Sequence, residues 1–315
     1  MARLIVRRLL FALLTLLATS VLVFAATEIL PGDVASAILG QNATPELLAG
    51  MRERLGLDAP AHLRYLAWLG AFISGDMGRS LATNAPVAEV LRPRVLNTLG
   101  LAAYAAVVGI PLSLALGIAS AAWYQSVFDR VLSSATVFLV AVPEFVIAIL
   151  LVTLLAVELR LFPSIAPRPR WSDPPTALWQ LFLPMATVVC TMLAHMIRMT
   201  RAVVLDVLAT PYVEMALLKG ASKSRIILRH ALPNAIGPVL SVIALNLGYL
   251  ISGIAIVEVV FSFPGLGKLM VDSIFYRDLP LVQATAMIFC AGFILFNTVA
   301  DISAVALNPR VRQRR

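Results

Sequence analysis

What most restricts the fold of this chain is a series of long apolar runs, near Leu9–Ala26, Asn97–Ala122, Val131–Val157, Leu178–Met199, Ile236–Val260 and Val282–Leu307. Each holds about 20 residues, the length at which an α-helix crosses roughly 30 Å of hydrocarbon. Within lipid every backbone N–H and C=O has to be satisfied inside its own segment, and a helix does this. The expected fold class is an all-α integral membrane protein with six transmembrane helices. Composition agrees, with 60% hydrophobic and 13% charged residues, where a soluble domain has about half and about a quarter.

Charge placement orients the spans. The net charge of +8 sits mostly at the ends of apolar runs, which reads as topological anchoring and gives no ground for a nucleic-acid partner. Arg3, Arg7 and Arg8 precede a first run too long for the 7–15 residue core of a secretory signal, so it is read as an uncleaved helix with a cytoplasmic N-terminus. Arg310, Arg312, Arg314 and Arg315 put the C-terminus on the same side. From Arg198 to Arg229 six Lys/Arg stand against Asp206 and Glu214, again cytoplasmic. Between Glu28 and about Leu96, six arginines face seven acids, which suits an external segment. There Thr44-Pro45-Glu46 opens a helix and Gly56 is a plausible stop. Arg160, Arg168 and Arg170 dissent, since they fall in an external loop. The expected division is 1–30, cytoplasmic tip and first helix; 31–96, external helical segment; 97–310, membrane core; 311–315, basic tail.

Enzyme chemistry finds no footing. No phosphate-cradling G-x-x-x-x-G-K-[ST] is present, so energy has to come from another chain. The polar loops hold no nucleophile–base arrangement, and Cys190 and Cys290 lie in apolar runs without ligand spacing, so neither a metal nor a cofactor is expected. Asp173-Pro174-Pro175 reads as a rigid turn. Ionisable residues inside spans are costly and face a cavity or a partner. Candidates for lining a translocation path are Glu144, Asn246, Ser252 and Glu258. For Glu258 and Asp301, pairing near the membrane surface competes with that role, and His195 reads as a polar residue near the cytoplasmic side. Pro143, Pro184 and Pro238 are candidate kinks.

The stretch from Ala209 to Pro238 lies between the fourth and fifth runs. Pro211 opens a helix and Gly220 suits the left-handed residue that ends it. Ser222 can cap a second helix that Pro233 closes. Lys223 and Arg225 occupy a first turn that the helix dipole would have acidic, so something other than helix stability accounts for them. A basic knuckle with exposed Met215, Leu218, Ile226 and Ile227 reads either as a surface built to dock into a partner or, on charge alone, as a solvated loop obeying the positive-inside rule.

Glu214-x-Ala216, then Gly220, apolar positions and Leu232-Pro233 resemble the EAA loop of permease subunits of ABC importers. Further stretches resemble the B-type subunit of the dipeptide, oligopeptide and nickel branch. They include Arg7-Arg8-Leu9, Leu30-Pro31-Gly32-Asp33, Leu55-Gly56-Leu57-Asp58, Gly75-Asp76-Met77-Gly78-Arg79-Ser80, Phe263-Pro264-Gly265-Leu266-Gly267, Arg277-Asp278 and Asn308-Pro309-Arg310. The resemblance implies that Tyr212, Glu214, Ala216, Lys219, Gly220, Ser222, Arg225, Leu232 and Pro233 couple the chain to an ATPase. It also implies a second permease subunit forming a heterodimer, two cytoplasmic ABC ATPase subunits carrying ATP and magnesium, and an external or periplasmic solute-binding protein at a bacterial inner membrane. The expected function is ATP-driven import of small peptides or a related solute. An ion-gradient-driven secondary transporter is the alternative. It calls for inverted repeats with helices broken at midplane, and no clear repeat is visible.

Overall fold

Helices form wherever the apolar runs meet no turn signal, and in the computed structural model, which describes residues 2–29, 44–54, 59–169 and 172–307, they dominate. In chain order they are α1 (Ala2–Ile29), α2 (Pro45–Arg54), α3 (Ala61–Ile73), α4 (Val87–Ala122), α5 (Val127–Ala141), α6 (Glu144–Leu151, continued by a π turn Val152–Glu158), α7 (Pro174–Gln180), α8 (Phe182–Leu208), α9 (Pro211–Leu218), α10 (Leu232–Val260), α11 (Leu266–Phe275) and α12 (Leu279–Leu307). No strand occurs among the described residues, where an isolated bridge pairs Arg79 with Pro86. Gly56, Leu30–Asp33 and the arginines after residue 307 lie outside the described residues.

Five stretches are long and apolar enough to cross a membrane: residues 5–29, 87–122, 182–208, 226–260 and 279–299. The expected third run differs, because it is two helices, Val127–Ala141 and Glu144–Glu158, bent by 105°. The cause is local. Pro143 disfavours the α conformation in the residue before it, and Val142 is extended at φ −88°, ψ 124°.

Packing shows that this bent pair has to cross. Gly109 of α4 lies against Val189 and Met192 of α8, and Gly117 against Ile197 and Thr200. Both contacts advance together, so α4 and α8 run parallel. Parallel neighbours require a return crossing between them, which α5 and α6 provide. α10 runs against α8, because Asn246 meets Met199 while Gly253 and Thr191 meet around Glu144. α12 runs against α10, since Gly248 lies against Asn297 and Gly292 against Ile251. The protein is therefore an all-α membrane protein of six crossings, the third of them broken.

The α4–α8 seam is made by a stripe of small buried residues, Ala105, Gly109, Ser113, Gly117 and Ala121, four apart on one face. A Cβ at Gly117 would lie 2.8 Å from Thr200 Cβ. Small side chains let the two backbones approach, which in lipid replaces the hydrophobic drive toward association.

Two further readings are corrected. Asp173-Pro174-Pro175 opens α7, whose first turn holds Pro without loss of a helical donor. Pro233 does not close a helix. The chain passes from Lys223–Arg225 through a π stretch, Ile226–Ala231, straight into α10. Proline clashes with the carbonyl four residues before it, and the wider π turn ahead of Pro233 makes room for the ring.

Candidate functional site: a loop and the cavity between its flanking helices

The loop begins on α9, with Pro211 in its first turn. Gly220 adopts φ +79°. Ala221 N–H donates to Ala216 O at 3.1 Å and Gly220 N–H to Leu217 O at 2.9 Å, the paired bonds of a left-handed helix stop. Tyr212 Oη donates to His230 O at 3.3 Å and ties α9 to the π stretch. Glu214, Lys219, Ser222, Arg225 and Pro233 are exposed, and Ala216 and Leu232 are half-buried. Met215 and Leu218 are exposed as expected, with Leu217 and Leu228 beside them, Leu218 reaching 74%. Ile226 and Ile227 are buried instead. The π stretch packs against α8, α9 and α10, and those two side chains fill that seam.

Behind the loop α8 ends in a clamp that the sequence did not disclose. Arg201, counted above only among topological charges, donates Nε to Asp129 Oδ1 at 2.7 Å and Nη2 to Oδ2 at 2.9 Å. Ser120 Oγ and the Gln125 N–H also donate to the Asp129 carboxylate, and the guanidinium lies 5.3 Å from the Tyr124 ring centre. α4, α5 and α8 are thus joined at one buried carboxylate.

Between α6, α8 and α10 lies a cavity of about 490 Å³ lined by Glu144, Thr191, His195, Asn246, Tyr249 and Gly253, with Met192 and Met199. Glu144 accepts from Thr191 Oγ1 at 3.4 Å. Asn246 is buried and donates Nδ2 to Val242 O at 2.8 Å. His195, read above as a polar residue near the cytoplasmic side, belongs to this wall. Its place depends on α8 facing α10, which spacing along one helix does not reveal.

The other two candidates lie elsewhere. Ser252 is exposed on α10 and is not among the residues that line the cavity. Glu258 is fully buried and caps α11: it accepts from Gly267 N–H at 2.6 Å, Lys268 N–H at 3.3 Å and Thr98 Oγ1 at 2.5 Å. Thr98 Oγ1 in turn accepts from Leu266 N–H at 2.8 Å. A Cβ on Gly265 would run into that carboxylate, so the glycine is sterically required. Nearby, Asp278 accepts from Ser80 Oγ, Leu81 N–H and Ala82 N–H, joining two stretches almost 200 positions apart. Of the dissenting arginines, Arg168 lines with Arg92 a second hollow of about 370 Å³ at this same end.

Sequence comparison gives the class. Residues 113–313 match the family described as binding-protein-dependent transport system inner membrane component, residues 1–102 match the N-terminal segment of such membrane components, and the chain belongs to this family. It is a multi-pass inner-membrane permease subunit of an ABC importer, with no catalysis of its own, and works with an ATPase and a solute-binding protein. Among its relatives is the glutathione transport system permease protein GsiC of Salmonella typhi, 36% identical over 311 residues, 98% of this chain and 99% of that one. The protein of the same name in Escherichia coli strain K12 is 35% identical over the same share of both chains.

Proposed function

We propose that the cavity between α6, α8 and α10 is this subunit's part of the translocation path, and that the loop 209–238 seats on the ATPase and moves the cavity's walls. One observation carries this reading: the loop joins α8 to α10, and those two helices also line the cavity. A displacement of α9 and the π stretch therefore reaches the cavity without an intermediate. In this reading Tyr212, Glu214, Ala216, Lys219, Gly220, Ser222, Arg225, Leu232 and Pro233 form the coupling surface. The loop end is cytoplasmic, as are both termini. The segment 31–96 and the Glu258 end are external, residues 97–310 are the transport core, and 311–315 are a basic tail.

The functional unit is a heterodimer with a second permease subunit, on two ATPases that carry ATP and magnesium; this chain binds no cofactor. The solute is a short peptide or a peptide-like compound, the class to which the relatives' name, glutathione transport, points. Glu144 and Asn246 are its candidate contacts within the path.

Uptake of labelled glutathione or of a dipeptide by proteoliposomes holding the whole assembly tests the reading. Uptake is expected only with ATP, the ATPases and the loaded binding protein. Accumulation by the permease alone under an ion gradient would overturn it in favour of a secondary transporter.

A further inference from the structure

Glu144 is the charged side chain that the coupling role leaves unexplained. Its carboxylate lies within a crossing, faces the cavity, and receives a hydrogen bond from Thr191; no Lys or Arg pairs with it among the described residues. Glu144 is half-buried, whereas the buried carboxylates are matched: Asp129 by Arg201, Glu258 by two backbone N–H groups and a hydroxyl, Asp278 by Ser80 and the amides that follow it. The His195 imidazole lines the same cavity but forms no ion pair with Glu144 among the described residues, and a carboxylate within a crossing that faces a cavity without an ion pair is placed to meet a charge from outside.

The local structure holds this carboxylate in place. Pro143 breaks the crossing, so Glu144 lies in the first turn of α6, where the positive end of the helix dipole favours an anion. Gly253 leaves the room it needs, since a Cβ there would stand 2.9 Å from Glu144 Oε2. A half-helix that starts inside a crossing ordinarily draws an anionic group of the solute. Here the protein's own carboxylate fills that position, which inverts the demand. The Tyr249 ring and the Met192 and Met199 thioethers line the same space, and an aromatic face beside a carboxylate suits a cation.

We propose that the cavity is a subsite for the cationic end of the transported solute, an ammonium or guanidinium group, with Glu144 as its counter-ion. The proposal rests on the cavity being part of the path. The test uses the complete transporter in proteoliposomes, carrying Cys190→Ala and Cys290→Ala, with Tyr249→Cys as a reporter in the cavity wall. The probes are three methanethiosulfonates of similar size: one bearing trimethylammonium, one sulfonate, one neutral. Relative to a free thiol, the reporter should favour the trimethylammonium reagent over the sulfonate about tenfold, from the field of one charge several ångströms away. Glu144→Gln should abolish that preference and Glu144→Asp should keep it. If the neutral reagent reacts and the preference is absent, or survives Glu144→Gln, the proposal falls while the path stands. If the neutral reagent reaches the reporter in neither the nucleotide-free nor the vanadate-trapped state, the cavity is no part of the path and both fall.

Discussion

The two ends of the helix bundle satisfy their buried carboxylates alike but hold their connecting segments differently. At the Glu258 end, carboxylates are consumed internally: Glu258 caps α11 and ties it to α4, while Asp278 ties the turn before α12 to residues 80–82. Phe261 and Phe263 are fully buried around that knot. At the loop end the Asp129–Arg201 clamp holds three helices together, but beyond it Leu217, Leu218 and Leu228 project and Arg225 and Lys219 stand exposed. At one end the knots take in the connecting turns themselves, although Phe275 and Tyr276 project beside them; at the other the connecting loop lies outside the clamp. In the proposed coupling role this difference matters, because a stiff far end would convert movement of the loop into reshaping of the cavity between them.

The largest expected effect is therefore at the stiff end. Glu258→Ala removes the acceptor for two amides and a hydroxyl where no water reaches, and should lower stability by about 3–5 kcal/mol. Thermal unfolding of the purified protein in detergent measures this. Unfolding like the wild type would mean that the knot is not what stiffens this end.

Gly220→Val is expected to do less to the fold and more to transport. A Cβ at Gly220 meets no atom within 4 Å, so the strain is that of a β-branched residue at φ +79°, of order 1–3 kcal/mol. That strain is relieved by unwinding the end of α9, which costs the loop its shape while the six crossings stay packed. Uptake by the assembled transporter should be lost with the protein still in the membrane. Normal uptake would show that the angle between α9 and the π stretch does not matter.

How much of this asymmetry is legible in the sequence follows from how far each cause extends along the chain. The crossings are legible because a long apolar run is a local property, and Gly220 is legible because the left-handed stop calls for glycine. Glu258 is only half legible: its position suggests a polar partner, but Thr98 lies 160 positions away. The burial of Ile226 and Ile227 depends on a seam with α8 that no local pattern announces, and Pro233 misleads because a π turn absorbs it. The stripe from Ala105 to Ala121 stands openly in the sequence, yet only the fold shows that α8 runs beside it. His195 and Asn246 share a wall for the same reason, since opposed helices bring them together.

The smallest effect on the fold, and the sharpest on the comparison, belongs to Leu218→Asp. This side chain is 74% exposed in the last turn of α9, where an aspartate opposes the helix dipole, so stability should fall by only about 0.3–1 kcal/mol. If the loop end is complete in itself, nothing else should change. If it is an unfinished surface, a charge at its most exposed leucine has to be desolvated against the ATPase, and co-purification of the ATPase with the permease should drop far more than the small change in unfolding accounts for. Leu218→Met keeps the apolar contact and should restore attachment, which separates loss of docking from loss of helix. Undiminished attachment in the aspartate variant would place the docking surface elsewhere on the loop, toward Leu228 and Arg229.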